Sequence, residues 1–274
     1  MKLGISSYAY TWAIGVPGQI PDRPMDCFQL LERAIEFNVS CLQVADNLPL
    51  HQLEKQPRFE LLKKAQDSGI MIEVGMRGLT EENFSRYLDL AEYFRSPILR
   101  AVIDAGEFKP GLQEIISRIR EYLPELISRN IQLAIENHDR LKATEFARII
   151  ETIGDTHVGI CLDSVNSMGA GEGLEEVLRT LGPYTINFHI KDFVVRRAYH
   201  MMGFNIEGTP AGSGMLPVEE ILEKLEKWGG CDSGILELWT PPADNLDETI
   251  KREHEWVKTS INFLKPLFDK DSVN

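Results

Sequence analysis

The chain has 274 residues, with 29 Lys and Arg against 42 Asp and Glu; a formal net charge of −13 argues against binding to nucleic-acid backbones. Hydrophobic residues make up 43% and charged residues 26%, which is enough apolar surface for a full core and excludes a disordered chain. No stretch approaches the roughly 18 apolar residues of a membrane span, the opening MKLGISSYAY lacks the apolar run of a secretory signal, and the four cysteines (Cys27, Cys41, Cys161, Cys231) form no CxxC pair, so a cytoplasmic protein with reduced thiols and no membrane partner is expected.

In chain order, one strand–helix unit recurs. Residues 2–8 predict a first strand, followed by a loop containing Trp12, Pro17, Gly18 and Pro21, and then a helix over 24–38 with Phe28, Leu31 and Ile35 on one face. A second strand over 40–45 precedes a helix over 57–68 that groups Phe59, Leu62 and Ala65. The third strand, 70–75, holds Glu73, read as half of a buried ion pair because a lone buried charge would be costly. After a helix over 80–94, the fourth strand, 97–103, carries Arg100, which has the reach to face a substrate. A longer helix, 110–129, is expected to kink or divide at Pro124.

The fifth strand lies in IQLAIENHD, 131–139, where an apolar run ends in Glu136, Asn137, His138 and Asp139. Strands over 157–162, 185–190 and 234–239 follow, separated by helices over 142–153, 172–181 and 217–228 and by a long polar loop over 193–216. Pro217 occupies a favoured first helical position, and a last helix spans 244–266. Eight such pairs predict a parallel sheet closed into a (β/α)8 TIM barrel, one domain over 1–274. An open doubly wound sheet would show a Gly-rich phosphate turn after its first strand, and GISSYAY has none.

Four of these strands end in groups that bind metals: Glu136, Asp163, His189 and Glu237, spaced 27, 26 and 48 residues apart. The first two intervals are one strand–helix unit each, and the third is one unit plus the long loop. The four side chains are therefore expected at similar height on adjacent strands, at the edge where such barrels keep their sites. Two Glu, one Asp and one neutral His suit one divalent ion, Mn²⁺ first, with Mg²⁺, Co²⁺ or Zn²⁺ as alternatives. The other reading of the quartet is an ion-pair network at the barrel mouth.

The motifs AIENHD, GICLDSVNSMG, NFHIKDF, GTPAGSGMLP and ILELW, spread over nearly the whole chain, resemble the xylose isomerase-like TIM barrels, the sugar and sugar-phosphate isomerase/epimerase family. The resemblance implies that Glu136, Asp163, His189 and Glu237 are the metal ligands, and that Glu136 and Glu237 also act as the catalytic acid/base pair. Endonuclease IV-like members of the family use additional histidines; the six His of this chain do not fall into that set. Family ketose 3-epimerases often place a His three residues after the strand-six Asp. Here that position is Asn166, which keeps the capacity to hydrogen-bond a substrate hydroxyl.

Residues two beyond an inward-facing ligand point the same way, so His138, Lys191 and Trp239 are expected around the mouth. Trp12 is expected to stack on a sugar face. Arg196 is read either as a substrate contact or as a solvated charge on a loop that walls the site. The resulting expectation is an enzyme that moves a proton beside the carbonyl of a ketose or related keto-polyol through an enediolate. Two alternatives compete with it: a metal-dependent dehydratase of a keto-cyclitol or keto-sugar, and a sugar-binding barrel without turnover. The resemblance also implies a homo-oligomer, dimer or tetramer.

Overall fold

The computed structural model describes residues 1–269. Eight parallel strands close into a barrel: β1 (Lys2–Ser6), β2 (Cys41–Val44), β3 (Met71–Arg77), β4 (Ile98–Val102), β5 (Gln132–Glu136), β6 (Val158–Asp163), β7 (Thr185–Ile190) and β10 (Ser233–Leu236), with β1 hydrogen-bonded to both β2 and β10. Every residue of β2, β4, β6, β7 and β10 is buried. This is why these segments read as continuous apolar runs rather than alternating ones.

The helices are α1 (Thr11–Ile14), α2 (Cys27–Glu36), α3 (Lys55–Asp67), α4 (Glu81–Phe94), α5 (Leu112–Arg129), α6 (Ala143–Ile153), α7 (Leu174–Leu181), α8 (Val218–Trp228) and α9 (Leu246–Phe268). Their starts follow from local chemistry. Asp26 and Gln29 form a reciprocal capping box on α2, and Thr80 and Asn245 cap α4 and α9. Pro217 immediately precedes α8 instead of opening it, and α5 runs as a single element through Pro124. On α3 the buried residues are Leu61 and Ala65; of the expected group Phe59, Leu62 and Ala65, Leu62 is half-buried and Phe59 faces solvent. No helix among the described residues is long and apolar enough to cross a membrane.

The segment read as a polar loop contains a hairpin, β8 (Phe193–Arg197) and β9 (Phe204–Gly208), paired antiparallel and standing outside the barrel. Four of the five β9 residues are exposed, so the hairpin carries no half-buried alternation for a sequence to reveal.

Candidate active site

The strand register determines how the quartet meets. Glu136 lies level with Cys161, Asp163 with His189, and His189 with Ile235. Glu237 lies two residues beyond Ile235, its N–H donating to the Ile190 carbonyl (3.1 Å). The groups climb a diagonal rather than sharing one height, as the shear of a closed barrel requires. All four are buried, and they converge: His189 Nδ1 is 3.4 Å from Glu136 Oε2, 3.4 Å from Glu237 Oε1 and 3.9 Å from Asp163 Oδ2.

Each carboxylate is oriented by neighbours. Asp163 Oδ1 accepts the N–H groups of Val165 (2.8 Å) and Asn166 (2.9 Å), and the Asn137 side chain brackets the Asp163 backbone from both sides. Glu237 Oε1 accepts from Ser6 Oγ at 3.0 Å. Glu136 is engaged at both oxygens, by Asn166 Nδ2 (2.8 Å) and by the guanidinium of the fully buried Arg100 (Nε, 2.5 Å). Arg100 also pairs with Asp46 (3.1 Å), which in turn takes Arg77 Nε (2.9 Å) and Tyr8 Oη (3.0 Å). Burial alone would raise the Asp46 carboxyl; Arg100 and Arg77 hold it below its ordinary range. Burial raises the Tyr8 phenol to about 12, with Asp46 adding to the effect.

Lys191 comes from the end of β7, and its Nζ lies 2.8 Å from Asp163 Oδ2 and 2.9 Å from Glu237 Oε2. Burial works against its charge, but Asp163, Glu237 and Glu136 outweigh that and keep it firmly protonated. Burial likewise works against an ionised Glu237, while the neighbouring cations Lys191 and Arg100 favour it, and its carboxyl lies well below the usual range.

The donor set fits a divalent cation. His189 Nδ1 is buried, without a hydrogen-bond partner, and faces three carboxylates; Asp163 Oδ2 also accepts no aligned hydrogen bond despite its nearness to Lys191. A buried ring nitrogen without a hydrogen-bond partner, set among three carboxylates, is placed as a ligand for a cation between them. Asp163, His189 and Glu237 already bring one ligand atom each to within 4.8 Å of one another. No cysteine belongs to that trio. Cys161, which meets Glu136 and His189 in a second such grouping, keeps its proton because burial raises its thiol.

Above the quartet opens a cavity of about 490 Å³ lined by Tyr8, Trp12, Lys191, Glu207, Glu237 and Trp239. It adjoins a recess of about 360 Å³, which shares Lys191 and Trp239 and adds Asn166 and Asp139. Trp12 and Trp239 are pinned by their indole N–H groups to the carbonyls of Thr240 (2.8 Å) and Asp192 (3.1 Å), leaving their rings as walls. His138 stands apart, 3.3 Å from Asp139 and in a small recess shared with Glu136 and Asp104. Arg196 is not brought to the cavity: it sits on the exposed side of the hairpin, 3.8 Å from Glu207.

Three features were not anticipated. Among the described residues Glu73 has no cation in an ion pair with it; its carboxylate is held instead by Ser233 Oγ (2.5 Å), Gln43 Nε2 (3.0 Å) and Asn187 Nδ2 (3.2 Å), and burial raises its pKa. Arg100 binds Glu136 rather than facing outward. Asp192 gathers the root of the hairpin by accepting four backbone N–H groups, from Phe193 (2.7 Å) and from Gly212, Gly214 and Leu216 (2.9 Å each). A Cβ on Gly214 would meet Asp192 Oδ1 at 2.1 Å, so this knot requires glycine there.

Comparison with known proteins places this barrel. Residues 76–267 match the sequence profile of the xylose isomerase-like TIM barrels. The chain belongs to that family. Across 264 residues, 96% of this chain and 95% of the relative, it is 29% identical to the 3-oxo-isoapionate decarboxylase of Pectobacterium atrosepticum. Among solved structures, D-psicose 3-epimerase with D-tagatose from Clostridium cellulolyticum H10 superimposes with a TM-score of 0.73 at 16% identity, over 97% of this chain and 99% of that one. The IOLI protein with a bound zinc atom gives 0.67 at 17% identity, over 98% and 99%. At these identities the structural likenesses establish a shared fold.

Proposed function

We propose that this xylose isomerase-like barrel is a divalent-metal-dependent enzyme that decarboxylates a small polyhydroxylated 3-oxo acid by way of an enediolate. The observation that carries the reading is the state of Glu136. Both of its oxygens are already taken, one by the Arg100 guanidinium and the other by the Asn166 amide, which leaves it poorly placed to take a proton from carbon. Decarboxylation does not need that base. The bond between the carboxyl carbon and its neighbour breaks, CO₂ departs, and the electron pair passes to the carbonyl oxygen. A proton from solvent then returns to the carbon. Full-length similarity to a 3-oxo acid decarboxylase supports the same choice.

Glu136, Asp163, His189 and Glu237 would hold the metal, Mn²⁺ being the first to test. When bound, it supplies positive charge for the oxygens of the enediolate. Lys191, at the cavity floor with its charge secured, anchors an anionic group of the substrate. Trp12 and Trp239 flank the sugar-like carbons, and Asn166 positions Glu136.

A second reading, epimerisation or isomerisation, is favoured by one observation: Glu136 and Glu237 bracket the same point, each 3.4 Å from His189 Nδ1. Two carboxylates so placed suit removal and return of one proton. Incubation of the metal-loaded protein with 3-oxo sugar acids and with ketoses in D₂O separates the two. CO₂ release with one deuterium in the product supports decarboxylation. Deuterium wash-in to ketoses without CO₂ from any 3-oxo acid would replace it with the second reading.

A further inference from the structure

Beneath the quartet lies a fully buried polar layer contributed by strands from opposite sides of the barrel: Gln43 on β2, Glu73 on β3, Asn187 on β7 and Ser233 on β10. Gln43 is its link to the site, with the side-chain amide 2.7 Å from His189 Nε2. Which way that amide points follows from its other contacts. Gln43 Nε2 lies 3.0 Å from Glu73 Oε2 and 3.2 Å from Asn187 Oδ1, both acceptors. Asn187 cannot turn to relieve this, because its own NH₂ donates to Ser233 Oγ (2.7 Å) and Glu73 Oε2 (3.2 Å), while its oxygen accepts from Cys161 Sγ (3.1 Å). A flipped Gln43 would set its oxygen against two oxygens in a dry interior. The NH₂ therefore faces Glu73 and Asn187, the oxygen faces His189, and His189 Nε2 must be the protonated nitrogen.

We infer that Gln43 is a positioning residue that fixes His189 in the Nε2–H tautomer and so presents the Nδ1 lone pair to the point where Glu136, Asp163 and Glu237 converge. The inference rests on the metal reading above and extends it to a residue on the far wall of the barrel, 146 positions away in sequence. An amide is suited to the task because it accepts from the imidazole without adding charge beside Glu73. A carboxylate at position 43 would face Glu73 across the 3.0 Å gap that Gln43 Nε2 now bridges. Outer partners that orient a ligating histidine contribute about 10- to 100-fold to metal affinity.

Two measurements on the full chain test it. The first is ¹⁵N NMR of the histidine side chains in wild-type protein without metal, at about pH 8, above the ordinary imidazole pKa of about 6.5. His189, assigned by its loss in His189→Gln, is expected as the Nε2–H tautomer; an Nδ1–H signal would overturn the inference with no variant needed. The second compares Co²⁺ and Mn²⁺ affinity by calorimetry in wild type and in Gln43→Met, which keeps volume but removes the acceptor. The expected result is about 10- to 100-fold weaker binding and a mixed His189 tautomer. Equal affinity and an unchanged tautomer in a folded Gln43→Met protein would overturn the role of Gln43 while leaving the metal reading intact. Absence of metal binding in wild type would overturn both.

Discussion

Arg100 crosses from β4 to place its Nε 2.5 Å from Glu136 Oε2 at the end of β5, a fully buried ion pair within the candidate ligand set. Its Nη1 reaches Asp46, so one guanidinium serves two carboxylates. Arg100→Met is expected to leave Glu136 buried and unpaired, at a cost of about 3–5 kcal/mol in the metal-free protein. In Arg100→Met/Glu136→Gln the loss should be clearly smaller than the sum of the single losses. Urea unfolding of the four proteins checks this; additive losses would mean that the pair is not energetically coupled.

Metal should stabilise the fold through Asp163. At a hundredfold excess over its dissociation constant, a ligand that binds the native state contributes about 2.7 kcal/mol. Wild type is expected to show that gain in thermal melts with Mn²⁺, with about one equivalent by elemental analysis. Asp163→Asn should lose it. A gain retained in Asp163→Asn would remove this residue from the ligand set.

Turnover should depend on Glu237 more than stability does. Glu237→Gln keeps the shape and the contact with Ser6 while removing the charge that faces His189 and Lys191. We expect kcat to fall at least about 100-fold with a folded protein by circular dichroism. Full activity would refute the assignment.

Glu253 on α9 gives the chain a pH signature away from the quartet. Its carboxylate accepts the N–H groups of Trp12 (2.9 Å) and Ala13 (3.0 Å) in α1, but burial dominates and raises it to about 7. A raised acid holds its proton longer folded than unfolded, so folding stability is greatest below the unfolded value and declines as pH rises from there through about 7. The decline amounts to about 3 kcal/mol for a shift of this size. Denaturant melts across that range should show it in wild type and lack it in Glu253→Gln; parallel curves would count against a protonated Glu253.

Removing the Asp192 carboxylate should loosen the cavity wall before the barrel. Asp192→Ala deprives four backbone N–H groups of their acceptor. Hydrogen bonds to a charged acceptor contribute about 1.5–3 kcal/mol each and are not additive, so a total near 3 kcal/mol is expected. Limited proteolysis should cut first within residues 193–216, and KM should rise more than kcat falls. Unchanged cleavage would show that the hairpin is held by other contacts.

The barrel was legible because fully buried parallel strands leave largely apolar runs, and the meeting of Glu136, Asp163, His189 and Glu237 was legible because each lies at or within one residue of the end of such a run. The stagger of the four along the barrel was not, since shear is a property of the closed sheet. Nor was the partner of Arg100, although a single guanidinium inside PILRAVI signals that a carboxylate must lie nearby. Gln43 in SCLQVA carried the same kind of signal, a lone amide in an apolar strand, but its contact is set by closure across the barrel. Burial of a charge usually demands an opposite one, but at Glu73 neutral donors from Ser233, Gln43 and Asn187 meet the demand instead.

The hairpin is held at one end only. Its base is gathered by Asp192, while its tip, with Tyr199, Met201 and Met202, is exposed. Sequence drift at the tip therefore leaves the eight-stranded scaffold untouched, while Ile206 and Glu207 farther down form part of the cavity lining. Replacing the hairpin between Asp192 and Leu216 is therefore expected to alter which molecules the cavity admits while the residues at the barrel's strand ends stay in place.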